Sequence, residues 1–368
     1  MKLAVIGASM GQFPLCLKAK ELGHTVICFA WENGAVCKDI VDTFYPVSIA
    51  DREEILKICR RERIDGVVSN ASDATAEVVS YIATTMGLHG VKYDSFNALK
   101  DKSAVRQLSA NIPELSQVKN EILTDDTTVF YPCILKPVTG NSKKGVGLAN
   151  GPEDIAKAME YAKKDSVCKI IMEQYIIGRE ISVESISYEG RHQVIQITDK
   201  DSSGAPHFVE LGHHQPTSLS ASVVKKIHVI IPKLLESVGI DNGATHVEMK
   251  ITDTNEVYLI EVNPRGGGDE ISNLLVQLSS GIDYLRCMIE VALGVFKEPV
   301  RISEPAFAGI YYLCQQTADL LPFFRSSVGS DWVVDMQISN LNLQESHTNY
   351  ERDGYLIYKH SQKIIPSK

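Results

Sequence analysis

The chain has 368 residues, of which 44% are hydrophobic and 23% charged, a composition typical of a soluble protein with two or three compact lobes. Its formal net charge of −9 excludes a broadly basic surface for nucleic acid, although a local basic site for phosphate is compatible with it. No stretch has the apolar length of a signal peptide or a membrane span, and the eight cysteines form no Cys-x-x-Cys pair. We therefore expect a cytoplasmic protein with reduced, mostly buried thiols, without a membrane or a nucleic acid as partner.

Strands and helices alternate up to about residue 93, which predicts a parallel sheet flanked by helices. Short apolar runs at 3–8, 25–30 and 66–69 are the predicted strands. Asp51, with Glu54 three residues later, marks the start of one of the helices. The N-terminal part is therefore predicted to be an α/β lobe.

A turn with glycine at both ends, 7–11, follows the first predicted strand, where backbone amides are able to hold a phosphate. The glycine fingerprint of a dinucleotide site is degenerate here, and Glu32 alone stands near the place of the expected acidic residue. We favour a structural turn at the edge of a substrate cleft.

From about residue 94 the predicted strands are richer in β-branched residues. Helices are predicted at 94–110, after Pro152 at a first helical position, at 221–238 with a kink at Pro232, and up to Leu293. The predicted strands lie at 133–138, 169–176, 181–188, 193–198, 208–212, 245–251 and 257–263. The segment after residue 300 carries no chemical signature.

Two acidic residues face each other across a predicted hairpin. If Thr254 and Asn255 form its turn, Glu248 lies directly opposite Glu261 on one face. Like charges so placed are destabilising unless one is protonated or a cation lies between them. Asn263 adds a third hard oxygen ligand, and such a set suits Mg²⁺. The alternative is a solvated hairpin with two exposed acids, against which the apolar residues around them argue.

A lysine at the end of an apolar strand precedes a glycine-rich loop. The loop, 139–147, follows Lys136 and contains Gly140, Ser142 and Gly145. Small residues let backbone N–H groups approach an anion, and the lysine adds a positive charge from a firm strand. No helix opens after a Gly-Lys-Ser/Thr sequence, so this is not a Walker loop, and a mobile hairpin would look similar. Lys102 by itself is typical of a helix surface.

The predicted apolar strand at 169–176 is suited to flank an adenine with its edge amides and carbonyls. Glu180, just after it, is placed to accept hydrogen bonds from ribose hydroxyls. An ordinary strand pair joined at Gly178 is the alternative, and the segment taken alone favours that alternative.

In this order, these residues resemble the ATP-grasp superfamily over roughly residues 1–295, and the ordered set is more specific than any one motif. The resemblance implies an α/β and α+β fold, with a Rossmann-like N-terminal lobe at 1–93 and a two-lobed ATP-grasp domain at 94–295. The small lobe is expected at about 112–175 and the larger lobe at about 176–295, with the segment 296–368 packed on this core.

The resemblance also implies ATP and Mg²⁺, with Mn²⁺ as an alternative ion, and a role for each matching residue. The nucleotide-binding residues would be Lys102, Lys136, Gly140, Ser142, Gly145, Glu173, Gln174, Ile176 and Glu180, and the metal ligands Glu248, Glu261 and Asn263. The two lysines would contact phosphates, and the segment from Glu173 to Ile176 would frame the adenine.

Within the superfamily the chain is similar to the L-amino-acid ligases, which make dipeptides, and to the carbamoyl-phosphate-synthase-like group. Glu210 and His213 match the ligases by their spacing from Glu248, and Arg265 matches the arginine that holds an acyl phosphate. The resemblance therefore implies an ADP-forming ligase that joins a small carboxylate to a small amine, with Arg265, His213 and Glu210 as catalytic residues. A purine-pathway enzyme acting on a ribonucleotide, a kinase and a non-catalytic nucleotide-binding regulator remain alternatives, and a homodimer is left open.

Overall fold

The computed structural model describes residues 1–124, 126–140, 145–164 and 169–366. Its N-terminal part is a parallel sheet in the strand order β3-β2-β1-β4, which confirms the predicted α/β lobe. The strands are β1 (Lys2–Ile6), β2 (Thr25–Phe29), β3 (Thr43–Tyr45) and β4 (Gly66–Val68), and the helices are α1 (Phe13–Glu21), α2 (Arg52–Glu62) and α3 (Asp73–Met86). The Asp51 side chain accepts a hydrogen bond from the Glu54 amide, so α2 begins where the spacing predicts.

The predicted helix at 94–110 is wrong as one element. The structure has two helices, α4 (Tyr93–Lys100) and α5 (Lys102–Leu108). Asp101 between them is extended, with φ −91° and ψ 105°, and its carboxylate accepts hydrogen bonds from the Ser103 and Ala104 amides. An aspartate that caps a new helix competes with continuation of the old one, and the break places Lys102 at the first position of α5.

The middle of the chain forms an antiparallel sheet in the order β5-β8-β6-β7. Its strands are β5 (Asn120–Ile122), β6 (Cys133–Pro137), β7 (Gly147–Ala149) and β8 (Ile170–Gln174), with α6 (Pro152–Lys163) packed on it. Pro152 opens α6 as predicted. A Cβ added at Gly147 would lie 2.9 Å from the Cα of Ala158, so glycine permits this close packing of helix on strand.

A larger antiparallel sheet follows, in the order β13-β12-β9-β10-β11-β14-β16-β15. Its strands are β9 (Arg179–Tyr188), β10 (Arg191–Ser202), β11 (Glu210–Gln215), β12 (Gly243–Ile251), β13 (Val257–Asn263), β14 (Phe307–Leu313), β15 (Val333–Ile338) and β16 (Gly354–His360). The last three strands lie in the segment for which the sequence carries no signature. The predicted domain limits themselves stay a prediction.

Helix α7 (Ala221–Ser237) is continuous through Pro232 and buries a row of apolar residues against the larger sheet. The predicted helix up to Leu293 is instead a π-helical turn (Ile271–Leu275), α8 (Val276–Ser280) and α9 (Tyr284–Ala292), while α10 (Leu321–Ser326) follows β14. Gly281, with φ 74°, ends α8 because its left-handed backbone cannot continue a helix.

Helix α9 also joins the N-terminal lobe to the larger sheet. It packs on α1, and a Cβ added at Gly66 in β4 would lie 2.5 Å from the carbonyl oxygen of Ala292. At the carboxyl edge of the parallel sheet, Asn70 lies against the loop that follows β13, since a Cβ added at Gly266 would lie 2.4 Å from its Oδ1. The cysteines in the described ranges are unpaired and buried, as predicted. None of the helices in those ranges combines the length and apolar character needed to span a bilayer.

Candidate functional site

A cleft of about 980 Å³, part of it open to solvent, lies between the two antiparallel sheets. Of the residues singled out from the sequence, those that line it are Lys102, Lys136, Gly140, Glu173, Gln174, Ile176, Glu180, Glu248 and Glu261. Gly145 and Asn263 are not part of its lining, and Ser142 lies outside the described residues. Residues far apart in the chain thus share one cavity.

A buried ion-pair cluster fixes Lys136 at the wall of the cleft. Its ammonium lies 2.6 Å from Oε2 of Glu173, and the Arg106 guanidinium binds the same carboxylate through Nε at 2.8 Å and Nη2 at 3.0 Å. Burial alone would raise the pKa of Glu173, but the two cations lower it to about 2. Arg106 also donates to the carbonyl oxygens of Leu259 and Ile260, which ties α5 to β13.

The Glu173 side chain is therefore directed at two cations. Its predicted place beside an adenine stays a prediction, because the carboxylate already accepts three short contacts within the protein. Lys102 also lines the cleft, and its ammonium donates to the Gly140 carbonyl oxygen at 2.8 Å. The two lysines of the cleft are thus held by different elements, α5 and β6.

The opposition of Glu248 and Glu261 is confirmed by the pairing of β12 with β13, although the predicted turn is wrong. Next to the turn Ile251 faces Val257, so the connection is longer than two residues. An irregularity after Glu248 gives β13 one extra residue, Ile260, and this bulge restores the register at the two acids.

Glu248 belongs to a cluster of three carboxylates around one buried lysine. The ammonium of Lys200 lies 2.7 Å from Glu248, 3.1 Å from Glu210 and 3.5 Å from Glu180, and its side chain is 2% exposed. Burial opposes the charge, yet the three carboxylates raise the pKa of Lys200 well above its usual range. The Lys200 ammonium therefore connects Glu180, which is predicted to bind ribose, with Glu248, which is predicted to bind the metal.

A second buried pair supports the glycine loop that follows β13. His246 contacts Glu184 through Nδ1 and lies 3.3 Å from Glu248 through Nε2. Burial disfavours the charged ring, but Glu184 raises the pKa of His246 to about 9. The Gly267 amide donates to Glu184 at 3.0 Å, and a Cβ at this glycine would lie 2.7 Å from Nδ1 of His246. Only glycine fits so close to the charged pair.

Glu261 has a different environment from Glu248. Its Oε2 accepts a hydrogen bond from the Asn263 amide group at 3.3 Å, and across the described ranges no Lys, Arg or His forms an ion pair with it. The carboxylate is half-buried and lines the cleft. Of the two facing acids, Glu248 has the Lys200 ammonium beside it. A divalent cation would neutralise the negative charge that remains on the pair, so the oxygen donor set fits Mg²⁺.

The three predicted catalytic residues lie in different places. Arg265 forms an ion pair with Asp73 at the first position of α3, with 2.6 Å between Nε and Oδ1. Burial opposes its charge, but Asp73 raises the pKa of Arg265 above its usual value. His213 is 1% exposed, and neither ring nitrogen forms a hydrogen bond within the described residues. Its nearest acid is Asp269, at 3.6 Å from Nε2.

Residues 129–273 match the family model for the ATP-grasp domain. The chain contains an ATP-grasp domain. The described sheets around the cleft are therefore the two lobes that the sequence resemblance implies, and the parallel sheet precedes them. The cleft is referred to below as the ATP cleft.

Similarity to known proteins extends beyond the ATP-grasp domain. The chain is 26% identical over 270 residues to alanine–anticapsin ligase of Bacillus amyloliquefaciens, an alignment that covers 65% of this chain and 56% of that ligase. It is 21% identical over 300 residues to formate-dependent phosphoribosylglycinamide formyltransferase of a Sulfurovum species, covering 76% and 74% of the two chains. The structure of an L-amino acid ligase from Bacillus licheniformis superposes with a TM-score of 0.78 at 20% identity, covering 98% and 93%. This last likeness shows the shared fold.

Three charged residues that contact the lining of the ATP cleft have no counterpart in the sequence predictions. Arg106 and Lys200 are buried inside ion-pair clusters, and His246 lies two residues before Glu248 on β12. Lys200 pairs with Glu180 across β9 and β10. Only the register of these strands brings the charges together, although a lysine within a β-rich segment is a signal that the sequence does offer.

Glu173→Gln should lower the free energy of unfolding by about 3 kcal/mol at pH 7, because it leaves two buried cations without their anion. The native pKa of about 2 lies below that of an unfolded glutamate. The carboxylate therefore contributes stability above about pH 4.3, which is lost as pH falls towards 2. Urea unfolding measures this effect: the difference in free energy of unfolding between wild type and variant should be smaller at pH 3 than at pH 7.

The matched control for this prediction is Glu121→Gln, on the neighbouring strand β5, where the side chain is exposed. This change should leave the urea midpoint at both pH values within error of wild type. A Glu173→Gln midpoint equal to that of wild type at pH 7 would contradict the prediction.

Proposed function

We propose that the chain is an ADP-forming ligase that activates a small carboxylate as an acyl phosphate and joins it to an amine. The observation that carries this proposal is the ATP cleft, whose lining combines two lysines, Lys102 and Lys136, with the facing acids Glu248 and Glu261. Cations for phosphates and oxygen ligands for a metal are the two requirements of phosphoryl transfer from ATP.

The nucleotide is proposed to lie between the sheets, with its phosphates toward the two lysines. Glu173 holds the Lys136 ammonium and is itself held by Arg106, so the position of the lysine is fixed before the nucleotide arrives. A preorganised cation loses little conformational freedom on binding, which favours the transition state. Glu180 lines the cleft and contacts Lys200, and it is proposed to accept hydrogen bonds from the ribose hydroxyls.

Magnesium is the proposed metal, held by Glu248, Glu261 and Asn263. When bound, it would neutralise phosphate charge and orient the transferring phosphoryl group. The protein's own contribution is to hold the acids in position: Lys200 and His246 fix Glu248, and the Asn263 amide group fixes Glu261. Asn263 would then turn its oxygen toward the ion while its NH₂ group bonds Glu261.

In the proposed reaction an oxygen of the substrate carboxylate attacks the γ-phosphorus, and the bond from that phosphorus to the β–γ bridging oxygen breaks. The products of this step are the acyl phosphate and ADP. The nitrogen of the neutral amine then attacks the acyl carbon, the bond from that carbon to the phosphate oxygen breaks, and the amine proton leaves with the phosphate. Arg265 is proposed to hold the phosphate, and His213 to orient it or the tetrahedral oxyanion.

A ribonucleotide substrate is the second candidate, favoured by the likeness to the formyltransferase. Such a substrate requires donors for its phosphate in the N-terminal lobe. At the turn 7–11, however, the Ser9 amide donates to the Gln12 side chain, the Gly11 amide to the Ser9 hydroxyl and the Gly7 amide to Phe29. Because these amides already have partners, the amine ligase is preferred.

The experiment is a pairwise screen of amino acids with Mg·ATP, measuring ADP and phosphate and identifying products by mass spectrometry. Formation of an amide together with one ADP and one phosphate would support the ligase. ADP release with one hydroxyl substrate and no amine would support a kinase. Conversion of a ribonucleotide would support the second candidate, and ATP binding without turnover in every mixture would support a non-catalytic regulator.

Arg265→Ala should lower kcat by about 10²-fold with a much smaller change in the KM for ATP, because the guanidinium is proposed to act on the transferring phosphate. Steady-state ADP release, with amine and carboxylate saturating, measures both constants. Arg265→Lys keeps a charge beside Asp73 and should retain more activity than the alanine variant.

The control is Arg286→Ala on α9, which removes an arginine paired with Glu290 on the same helix. It should leave both kinetic constants unchanged. An unaltered kcat in Arg265→Ala would count against the phosphate role, and a large loss of thermal stability in that variant would assign Arg265 to holding the N-terminal lobe.

A further inference from the structure

Three side chains able to bind a metal ion come together outside the acidic site. His207 is in the loop between β10 and β11, whereas Glu345 and His347 are in the connection between β15 and β16. One potential ligand atom of each lies within 4.8 Å of those of the other two. The two imidazole rings are stacked, with centroids 4.3 Å apart and 12° between their planes. His347 Nε2 lies 3.8 Å from the carboxylate of Glu345.

The backbone that carries these side chains is fixed by local hydrogen bonds. On one side the Ser203 amide donates to the Val209 carbonyl oxygen at 2.9 Å, and the Phe208 amide donates to that of Gly204 at 2.8 Å. On the other side the His347 amide donates to the Glu351 carboxylate at 2.7 Å. Because both backbones are already ordered, only side-chain rotation would be needed to close a site.

A direct hydrogen bond also holds the two loops side by side. The Glu210 amide donates to the side-chain oxygen of Asn349 at 3.0 Å, and the amide group of Asn349 donates to Asp269 at 3.2 Å. The juxtaposition of the histidines is therefore a consequence of the fold and does not depend on their own ring contact.

We propose that His207, Glu345 and His347 bind a divalent transition-metal ion of the zinc type. Two imidazoles and a carboxylate are a common set for Zn²⁺, with water at the fourth position. Bonds of 2.0–2.1 Å in a tetrahedron place ligand atoms about 3.4 Å apart, so each pair of ligand atoms needs to approach by at most about 1.4 Å to complete the site. The nitrogen ligands separate this site chemically from the oxygen donors of the ATP cleft, which suit Mg²⁺.

The proposed ion would link the ATP cleft to the C-terminal part of the chain. Phe208, next to His207, lines the cleft. An ion shared with His347 would hold this loop against the connection before β16. The proposal does not depend on which reaction the ATP cleft catalyses.

The test uses the full-length, untagged protein after removal of metals. Titration calorimetry with ZnCl₂, in excess Mg²⁺ to occupy the carboxylate site, should show one ion per chain with a Kd on the order of 1–10 µM. Replacement of zinc by Co²⁺ should give the visible absorption of a four- or five-coordinate site. Hydrogen exchange at 203–209 should slow when zinc is added.

His207→Ala and His347→Ala should each weaken zinc binding at least about tenfold, and Glu345→Gln should weaken it less. His228→Ala, an exposed histidine on α7, is the matched control and should bind zinc like wild type. The three histidine variants should keep the wild-type circular dichroism spectrum because none of the removed rings is buried. Wild-type zinc affinity in either loop variant, or no zinc binding by the wild type at 100-fold the expected Kd, would overturn the proposal.

Discussion

Glu261→Gln should reduce turnover by about 10²–10³-fold while the fold is retained. Glutamine has nearly the same shape as glutamate but carries no charge, so the site would lose one of its two facing carboxylates. Without ligand the variant should be at least as stable as wild type, because the repulsion between these carboxylates is removed. Measurements are ADP release at saturating ATP and the melting temperature with and without Mg²⁺.

Glu256→Gln is the matched control for this prediction, since Glu256 is an exposed acid in the connection of the same hairpin. It should have the turnover of wild type and the same response of melting temperature to Mg·ATP. In Glu261→Gln that response should be smaller. Wild-type turnover in Glu261→Gln would end the metal assignment, and with it the proposed role of the hairpin.

The hairpin shows how a correct prediction can depend on a wrong detail. The sequence places Glu248 opposite Glu261 by assuming a two-residue turn, whereas the structure has a longer connection and a bulge at Ile260. The longer connection and the bulge shift the strand register in opposite directions, so Glu248 and Glu261 still face each other. Asn255 has φ 63°, a conformation that asparagine adopts more readily than most residues, and this permits the longer connection. A bulge leaves little trace in sequence patterns, so this cancellation was not predictable.

Elements with local signals are predicted well, and those determined by packing are not. Alternation of apolar residues locates most strands, and Pro152 and Asp51 mark helix starts that the structure contains. Asp101 is a capping residue inside an apparently continuous helical pattern. The break there is predictable only if the preference of aspartate for capping a new helix is compared with the tendency of the first helix to continue. Strands β14 to β16 depend on pairing with β11, a contact that the local sequence does not encode.

Among the charged residues of the site, too, those with a local sequence signal are predicted and those placed by tertiary packing are not. Lys136 and Glu261 stand beside glycine-rich loops, which is why the sequence points to them. Arg106 and Lys200 have no such neighbours, and each has a partner more than 45 positions away in the chain. Their burial is the feature that marks them as part of the site, and burial of a charge is decided by tertiary structure.

Lys200→Met should lower the free energy of unfolding by about 3–5 kcal/mol in the absence of divalent ions, because three carboxylates then lose their shared cation. The oxygens of Glu180, Glu210 and Glu248 lie within 4.8 Å of one another, a spacing suited to a metal ion. Added Mg²⁺ should therefore raise the melting temperature of the variant more than that of wild type. Turnover should fall as well, since Glu248 and Glu180 lose the ammonium that positions them.

The decisive measurement is the melting temperature as a function of Mg²⁺ concentration, without nucleotide. Lys225→Met, an exposed lysine on α7, controls for the loss of one positive charge and should follow the wild-type curve. A steeper rise for Lys200→Met alone would show that an ammonium fills a place that a divalent ion otherwise takes. Parallel curves for wild type and Lys200→Met would show that the three carboxylates bind a cation no more strongly after loss of the ammonium. In that case Lys200 contributes to packing of the larger sheet and does not control the charge of the site.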